Sequence, residues 1–551
     1  MIAAILAATF PRLGAGWFSR IESAFSRFAQ TKRRVVLAIG ILTLLLRVLV
    51  LPVEPIPHPL FHDEYAYLLQ ADTFAHGRLT NPTPDMWQHF ETFHVLFQPT
   101  YCAKFFPGQG LFLALGKVVF GDPFWGVWLS SGLMCAVLVW MLQGWLDPEW
   151  ALLGGVLGLL RFGVFGYWAN SYWGGNVAAI GGALVLGALP RMRTSPHVKD
   201  ALLMGIGVAV VANSRPWEGL AMCLAVAVVA AAWWWPKRPP LKILISRVVT
   251  PLLLVLGLGA MGTSYYCWRT TGNPLRLPYQ VYEQTYGALP FMVWQKPRLE
   301  PQYRHAILRE LNIEEQGRQA RQQRGLRGHL NRIYLATTFY LGPALLMPFL
   351  ALLLAVRNKS LWRDLWPRAR PLLALLLITW IGEGMVEYYN VHYSAPIVGL
   401  IIALVLLAMQ ALRRWNQSGV FLSRAVPVIC VLVFALRVVA APLHISIRQI
   451  HPYGWYQPEK LPAGWAYRAP IEKQLKSIPG NHLVIVRYSA VHAVDSEWVY
   501  NDADIEHARI VWARDMGEDS NRQLIERYAN RSVWVAEPDV VPPRLTPYPL
   551  H

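Results

Sequence analysis

Apolar residues in this chain run in long blocks and do not alternate with polar ones. The blocks are roughly 17–25 residues long, the length a helix needs to cross about 30 Å of hydrocarbon. They lie near 34–53, 124–145, 149–168, 176–190, 200–213, 217–235, 247–267, 333–356, 370–387, 395–412 and 425–443. The pattern predicts an all-α polytopic membrane protein with about 11 transmembrane helices. One further apolar segment, 110–121, is short and carries Lys117. Counting it as a span would reverse every later loop, so it reads as a half-inserted helix at the outer interface. Trp, Tyr and Phe gather at block ends, where amphipathic rings meet the headgroups.

Beyond the last block the periodicity changes. HLVIVRY (482–488), ARIVWARD (508–515) and SVWVAEPD (532–539) read as strands, with a polar helix near 519–530 before the last. Such an order predicts a small C-terminal α/β domain. At the other end, Trp17, Phe18, Ile21, Phe25 and Phe28 recur at helical spacing opposite Arg20 and Arg27. That spacing predicts an amphipathic helix on the membrane surface. Residues 1–30 lack the charge order of a cleaved signal peptide.

Charged residues make up 15% of the chain, against about 25% in a soluble protein. The net charge of +18 does not point to nucleic acid, because Lys and Arg sit in short stretches between apolar blocks: 31–34, 191–199, 236–242, 357–370 and 413–424. By the positive-inside rule these stretches are cytoplasmic, the N-terminus is inside and the C-terminus outside. The expected divisions are a cytoplasmic N-terminus (1–33), a transmembrane domain (34–443) with extracytoplasmic loops 54–123 and 268–332, and an extracytoplasmic domain (444–551). Of five scattered cysteines, Cys102 and Cys267 would both lie outside the membrane, but their spacing does not imply a disulfide.

Candidate chemistry falls at outer helix ends. His62, Asp63 and Glu64 stand together about ten residues past the first block. Adjacent carboxylates beside a bilayer must be solvated, paired or metal-bound, and a solvated helix N-terminus accounts for them equally well. His89, Glu91 and His94 are candidate metal ligands, although their spacing fits no standard motif. Lys104 could meet a phosphate or snorkel. Arg215 is the only basic residue in its outer connection, where a phosphate or Glu218 would neutralise it. YWANSYWGGN supplies Tyr172, Trp173 and Asn176 as possible site-lining residues, and EGMVEYYNVHYSAP supplies Glu383 and His392. Glu383 falls within hydrocarbon depth, which makes it a functional suspect. No phosphate-binding loop, dinucleotide fingerprint, nucleophile elbow or HExxH occurs in a supporting context.

HDEYAYLLQADTFAHGRLTNP (62–82), KFFPGQGLFLALGKVVFG (104–121), SYWGG (171–175), NSRPWEGL (213–220) and HYSAP (392–396) together resemble the GT-C superfamily of membrane glycosyltransferases. Within it they are similar to the group of dolichyl-phosphate-mannose protein mannosyltransferases and aminoarabinose transferases, and to an uncharacterised bacterial subgroup in particular. The similarity continues through EWVYNDADI (497–505) and VWARDMG (511–517).

The resemblance implies a polyprenyl-phosphate-linked sugar donor, an extracytoplasmic site at a bacterial inner membrane, and inversion at the anomeric carbon. It implies Asp63 as the base, with Glu64 as its partner. Arg215 and Lys104 would hold the donor phosphate, and His62 would line the acceptor side. A divalent metal stays open, because the relatives' further ligands do not align here. The acceptor would be a protein, lipid or glycan. Two readings from other classes compete: a transporter or flippase for an anionic substrate, and a non-catalytic envelope assembly factor.

Overall fold

The computed structural model describes residues 2–194, 196–236, 240–440, 442–443 and 468–549. The first part of the expected C-terminal domain, 444–467, and parts of the basic stretches 191–199 and 236–242 fall outside them.

Among the described residues, seven helices are long and apolar enough to cross a membrane: Phe124–Trp145, Gly175–Arg193, Pro216–Trp234, Leu241–Thr271, Gly325–Leu354, Val391–Trp415 and Gln417–Ala440. Each coincides with an expected span. The other four expected spans are helical but fall short for physical reasons. Lys32–Leu49 spends its 18 residues on three leading basic side chains and Arg47. Val198–Ala212 has only 15 residues. Pro148–Gly158 gives way to a π-helical turn, Leu159–Gly163. Lys359–Glu383 spends its first half on Lys359, Arg363, Asp364, Arg368 and Arg370 and ends its apolar half on Glu383.

Pro107–Phe120 is the short apolar helix expected beside the bilayer. It lies against Phe124–Trp145 where Gly116 meets Gly126. A methyl group on either would collide with the other's backbone or with that of Phe112. The surface helix Ala15–Ala29 is clamped by Glu22, which binds Arg413 at 2.6 Å and Arg424 at 2.8 Å. These two guanidiniums hold the Glu22 carboxyl at about 2 against the burial that would raise it. The amphipathic helix and the 413–424 loop therefore share one side of the protein.

The segments expected outside the membrane fold over the helix ends opposite the Glu22 clamp. Helix His62–Ala75 opens with Asp63 and Glu64 in its first turn, where acidic groups favour the positive end of the dipole. It closes on Gly77, whose φ of +69° suits glycine, and Arg78 donates back to the Thr73 carbonyl at 3.1 Å. Val95–Leu96 and Cys102–Ala103 form a short antiparallel ribbon. Cys102 and Cys267 are both buried and free.

Residues 482–547 form the expected α/β unit. Its sheet runs in the order Ile510–Arg514, His482–Val486, Ser532–Glu537, Arg544–Pro547, parallel except at the last strand. Helix Glu518–Arg527 crosses between two of the strands. Leu483, Val511 and Ala513 share a core with Ala66, Leu69, Phe90 and Tyr101, so this unit rests directly on the first outer loop.

Candidate active site

The acidic helix brings two carboxylates to one turn and gives them different surroundings. Glu64 is fully buried. Its Oε2 accepts from the backbone of Leu60 (2.9 Å) and Phe61 (3.1 Å), and its Oε1 from the backbone of Tyr172 (2.9 Å). The first two contacts close the helix N-terminus in the way a third-position glutamate does. The third ties that terminus to the SYWGG loop. Asp63 keeps 24% of its side chain exposed, and among the described residues no backbone donor is bonded to it.

Around Asp63 stand three basic side chains. His62 Nδ1 lies 3.0 Å from Asp63 Oδ2 and 2.8 Å from His94 Nε2. His94 Nε2 is 3.8 Å from Asp63 Oδ1. Two facing imidazole nitrogens need one proton between them, and the electrostatics say which ring carries it. Burial would lower His62, but Asp63 and Asp495 raise it to about 9. Burial and the Lys104 charge push His94 well below its usual range. His62 is thus the imidazolium and His94 the neutral acceptor. Burial alone would raise Asp63, yet the His62 imidazolium and the Lys104 ammonium hold it well below the ordinary carboxylate range. It is ionised at any physiological pH.

Lys104 is buried, 3.4 Å from Glu283 Oε1 and over the rings of Tyr282 (4.1 Å) and Tyr279 (4.7 Å). Burial lowers its ammonium, with Glu283 and Asp63 opposing. Arg215 lies over the Tyr393 ring at 4.6 Å. Its charge and that of Asp63 act on the same side chains, Tyr67, His392 and Tyr393. Burial pushes the Tyr67 phenol up to about 12, Arg215 opposing and Asp63 reinforcing. An anionic carboxylate and a guanidinium therefore face common aromatic surroundings at the ends of apolar helices.

The remaining sequence candidates divide. Trp173 stacks on Phe61 (5.0 Å) and lies 5.1 Å from His392, within these surroundings. Tyr172 donates its hydroxyl to the Pro57 carbonyl at 3.0 Å. Asn176 donates to Ser131 Oγ (2.7 Å) and the Trp168 carbonyl (3.0 Å). Both of these brace the loop. Glu383 is buried against Ser394 Oγ at 2.5 Å.

The metal-ligand candidates His89, Glu91 and His94 do not converge. His89 Nδ1 faces the Arg514 carbonyl at 3.1 Å, while Glu91 accepts from Tyr286 (2.7 Å) and Arg304 (3.2 Å). Among the described residues, the group able to hold an ion is His62, Asp63 and His94, one donor atom from each lying within 4.8 Å of the others. Two imidazole nitrogens and a carboxylate oxygen suit a borderline divalent cation such as zinc. The fit is incomplete at His94 Nδ1, which is buried without a partner, where a ligating ring usually donates outward.

Sequence reasoning missed Asp495, Tyr67 and Glu283. Asp495 precedes the aromatic and acidic stretch EWVYND (497–502), the one available signal for it.

No protein-family model matches the chain, and no curated protein sequence does. Solved structures of the oligosaccharyltransferase of Archaeoglobus fulgidus are distantly similar. The apo form is 11% identical with a TM-score of 0.38, covering 92% of this chain and 69% of its own. The complex with Zn and sulfate is 12% identical with a TM-score of 0.40, covering 91% and 67%. The complex with an inhibitory peptide and a dolichol-phosphate is 13% identical with a TM-score of 0.37, covering 92% and 69%. At such scores the functional reading rests on the chain's own residues.

Proposed function

We propose that this protein is an inverting glycosyltransferase that moves a sugar, a hexose by class, from a polyprenyl-phosphate carrier to an extracytoplasmic acceptor. The observation that carries the reading is a partly exposed Asp63 carboxylate, held in its ionised form by His62, whose charge acts with that of Arg215 on the same side chains, Tyr67, His392 and Tyr393. The GT-C-like motifs on the same residues support it. The setting would be a bacterial inner membrane, with the 54–123 loop and the C-terminal domain outside.

In the reaction, the acceptor hydroxyl oxygen bonds to the anomeric carbon as the bond from that carbon to the phosphate oxygen breaks. The electron pair leaves with the phosphate and the hydroxyl proton passes to Asp63. A carboxylate held so far into its ionised form is always ready but weakly basic, so proton transfer falls late, after most of the leaving-group bond has broken. Charge developing on the phosphate is met by Arg215, a planar donor suited to phosphate oxygens. Lys104, engaged with Glu283 and two rings, acts chiefly through its field. Glu64 holds the turn that presents Asp63. A divalent cation on His62, Asp63 and His94 would require His62 to give up its proton, and would supply positive charge beside the reacting centre in place of that imidazolium.

Asp63→Asn tests the reading. It should abolish transfer of radiolabelled sugar from a polyprenyl-phosphate donor in isolated membranes, with expression and insertion unchanged. Near-normal turnover would remove Asp63 as base, and uptake without product would favour a transporter.

A further inference from the structure

Asp495 belongs to the C-terminal domain, yet its Oδ1 lies 3.5 Å from His62 Nε2. His62 is therefore gripped at both nitrogens, with Asp63 and His94 on Nδ1 and Asp495 on Nε2. The Phe93 ring stands edge-on to it at 5.6 Å. An unrestrained imidazole can turn about its side-chain bonds and exchange the positions of its nitrogens. Here an acceptor on the far side selects one orientation.

The segment that presents Asp495 is itself fixed. Asp495 sits in the single turn Val494–Ser496. Val494 packs with Phe93, Leu96 and Tyr282, and Ser496 N–H donates to the Ala493 carbonyl at 2.8 Å. The next residue, Glu497, is buried against Arg514 at 2.7 Å. The domain is in turn tied to the acidic helix and its neighbours. Ala503 N–H donates to Asp72 Oδ2 (2.7 Å), Tyr500 stacks on Tyr65 (4.7 Å), and the Tyr500 hydroxyl donates to the Phe93 carbonyl (3.2 Å). Tyr101 hydroxyl donates to the Asn501 carbonyl (3.1 Å), and Arg514 to the Glu91 carbonyl (3.1 Å). A side chain supported this closely can hold another in place, which loosely tethered groups cannot.

We propose that Asp495 is a positioning residue of the reaction centre: from the C-terminal domain it fixes the His62 ring so that Nδ1 faces Asp63. The domain is then part of the centre. This deepens the reading above and depends on Asp63 being the reactive carboxylate.

Two measurements on the full-length protein in nanodiscs test it. In the transfer assay, Asp495→Ala should lower kcat roughly 10–100-fold, as loss of the carboxylate that orients a site histidine does. KM for the donor should hold, and Asp495→Glu should recover part of the rate. The double variant with His62→Gln should be no slower than His62→Gln alone. Additive losses would overturn the proposal. Independently of activity, 15N NMR of histidine-labelled protein, with the His62 signals identified by their loss in His62→Gln, should show Nε2 shifting in Asp495→Ala. Unchanged amide protection of 482–486 and 510–514 would exclude unfolding. An unmoved Nε2 resonance overturns the proposal even if the protein proves inactive. A moved resonance in a protein that transfers no sugar would keep the contact and discard the glycosyltransferase reading.

Discussion

Replacing Glu64 by glutamine should unsettle the protein rather than its chemistry. The carboxylate accepts three backbone N–H groups from Leu60, Phe61 and Tyr172 with no solvent exposure. Glutamine offers one acceptor oxygen. If that oxygen serves Leu60 and Phe61, the amide NH2 is driven against the Tyr172 N–H. One backbone donor is then stranded. A buried unsatisfied donor costs about 1–3 kcal/mol, and a bond to a charged acceptor contributes about 1.5–3 kcal/mol. Allowing for local relaxation, Glu64→Gln should cost about 2–4 kcal/mol. Thermal unfolding of purified protein, with amide exchange over 57–75 and 167–176, would measure the loss. Asp63→Asn gives up its ion pair with His62 but strands no described backbone donor, so amide exchange over 167–176 should stay unchanged in it. A Glu64→Gln protein that melts within about a degree of the original but has lost turnover would refute this reasoning and make Glu64 a participant in the reaction.

Two further outcomes are expected. Arg215→Lys keeps the charge but not the paired planar donors, so sugar transfer should fall about 10–100-fold, as charge-assisted bidentate contacts are lost; equal activity would show that the phosphate binds elsewhere. The Glu22 carboxyl is held at about 2 by Arg413 and Arg424, against an ordinary 4.5. Its contribution to docking the surface helix is therefore complete above pH 4.5 and lost as pH falls towards 2. Protection of the 15–29 amides, taken relative to the intrinsic exchange rate at each pH, should fall over that window, and Glu22→Gln should show the acid-like protection already at pH 7. Protection indifferent to both changes would sink the clamp.

Much of the scaffold could be read from the chain because it follows local rules. The seven long apolar helices, the short one carrying Lys117, and three strands of the C-terminal sheet depend on residue spacing alone. Four expected spans were less secure because Lys32–Leu49 and Lys359–Glu383 mix apolar blocks with basic turns, and the other two are short. The candidate centre was half visible. Asp63, Arg215 and His62 stood out because charge beside a bilayer demands a reason. What composition could not foretell was geometry: that Glu64 faces backbone donors while its neighbour faces solvent, or that His94 turns towards His62 while His89 and Glu91 turn away. Asp495 joins His62 across more than 400 residues of sequence, and no periodic pattern reports such a meeting.

The bond from Ala503 to Asp72 spans 431 residues, and its consequence lies in time as much as in space. A ribosome completes the acidic helix before the apolar helices that follow it, and only after those helices releases the segment that caps residues 62–103. Contacts of such separation form slowly. Throughout synthesis, Leu69, Phe90 and Tyr101, which end in the shared core, stay uncovered. A fault in the last segment to be made would therefore leave the first one exposed.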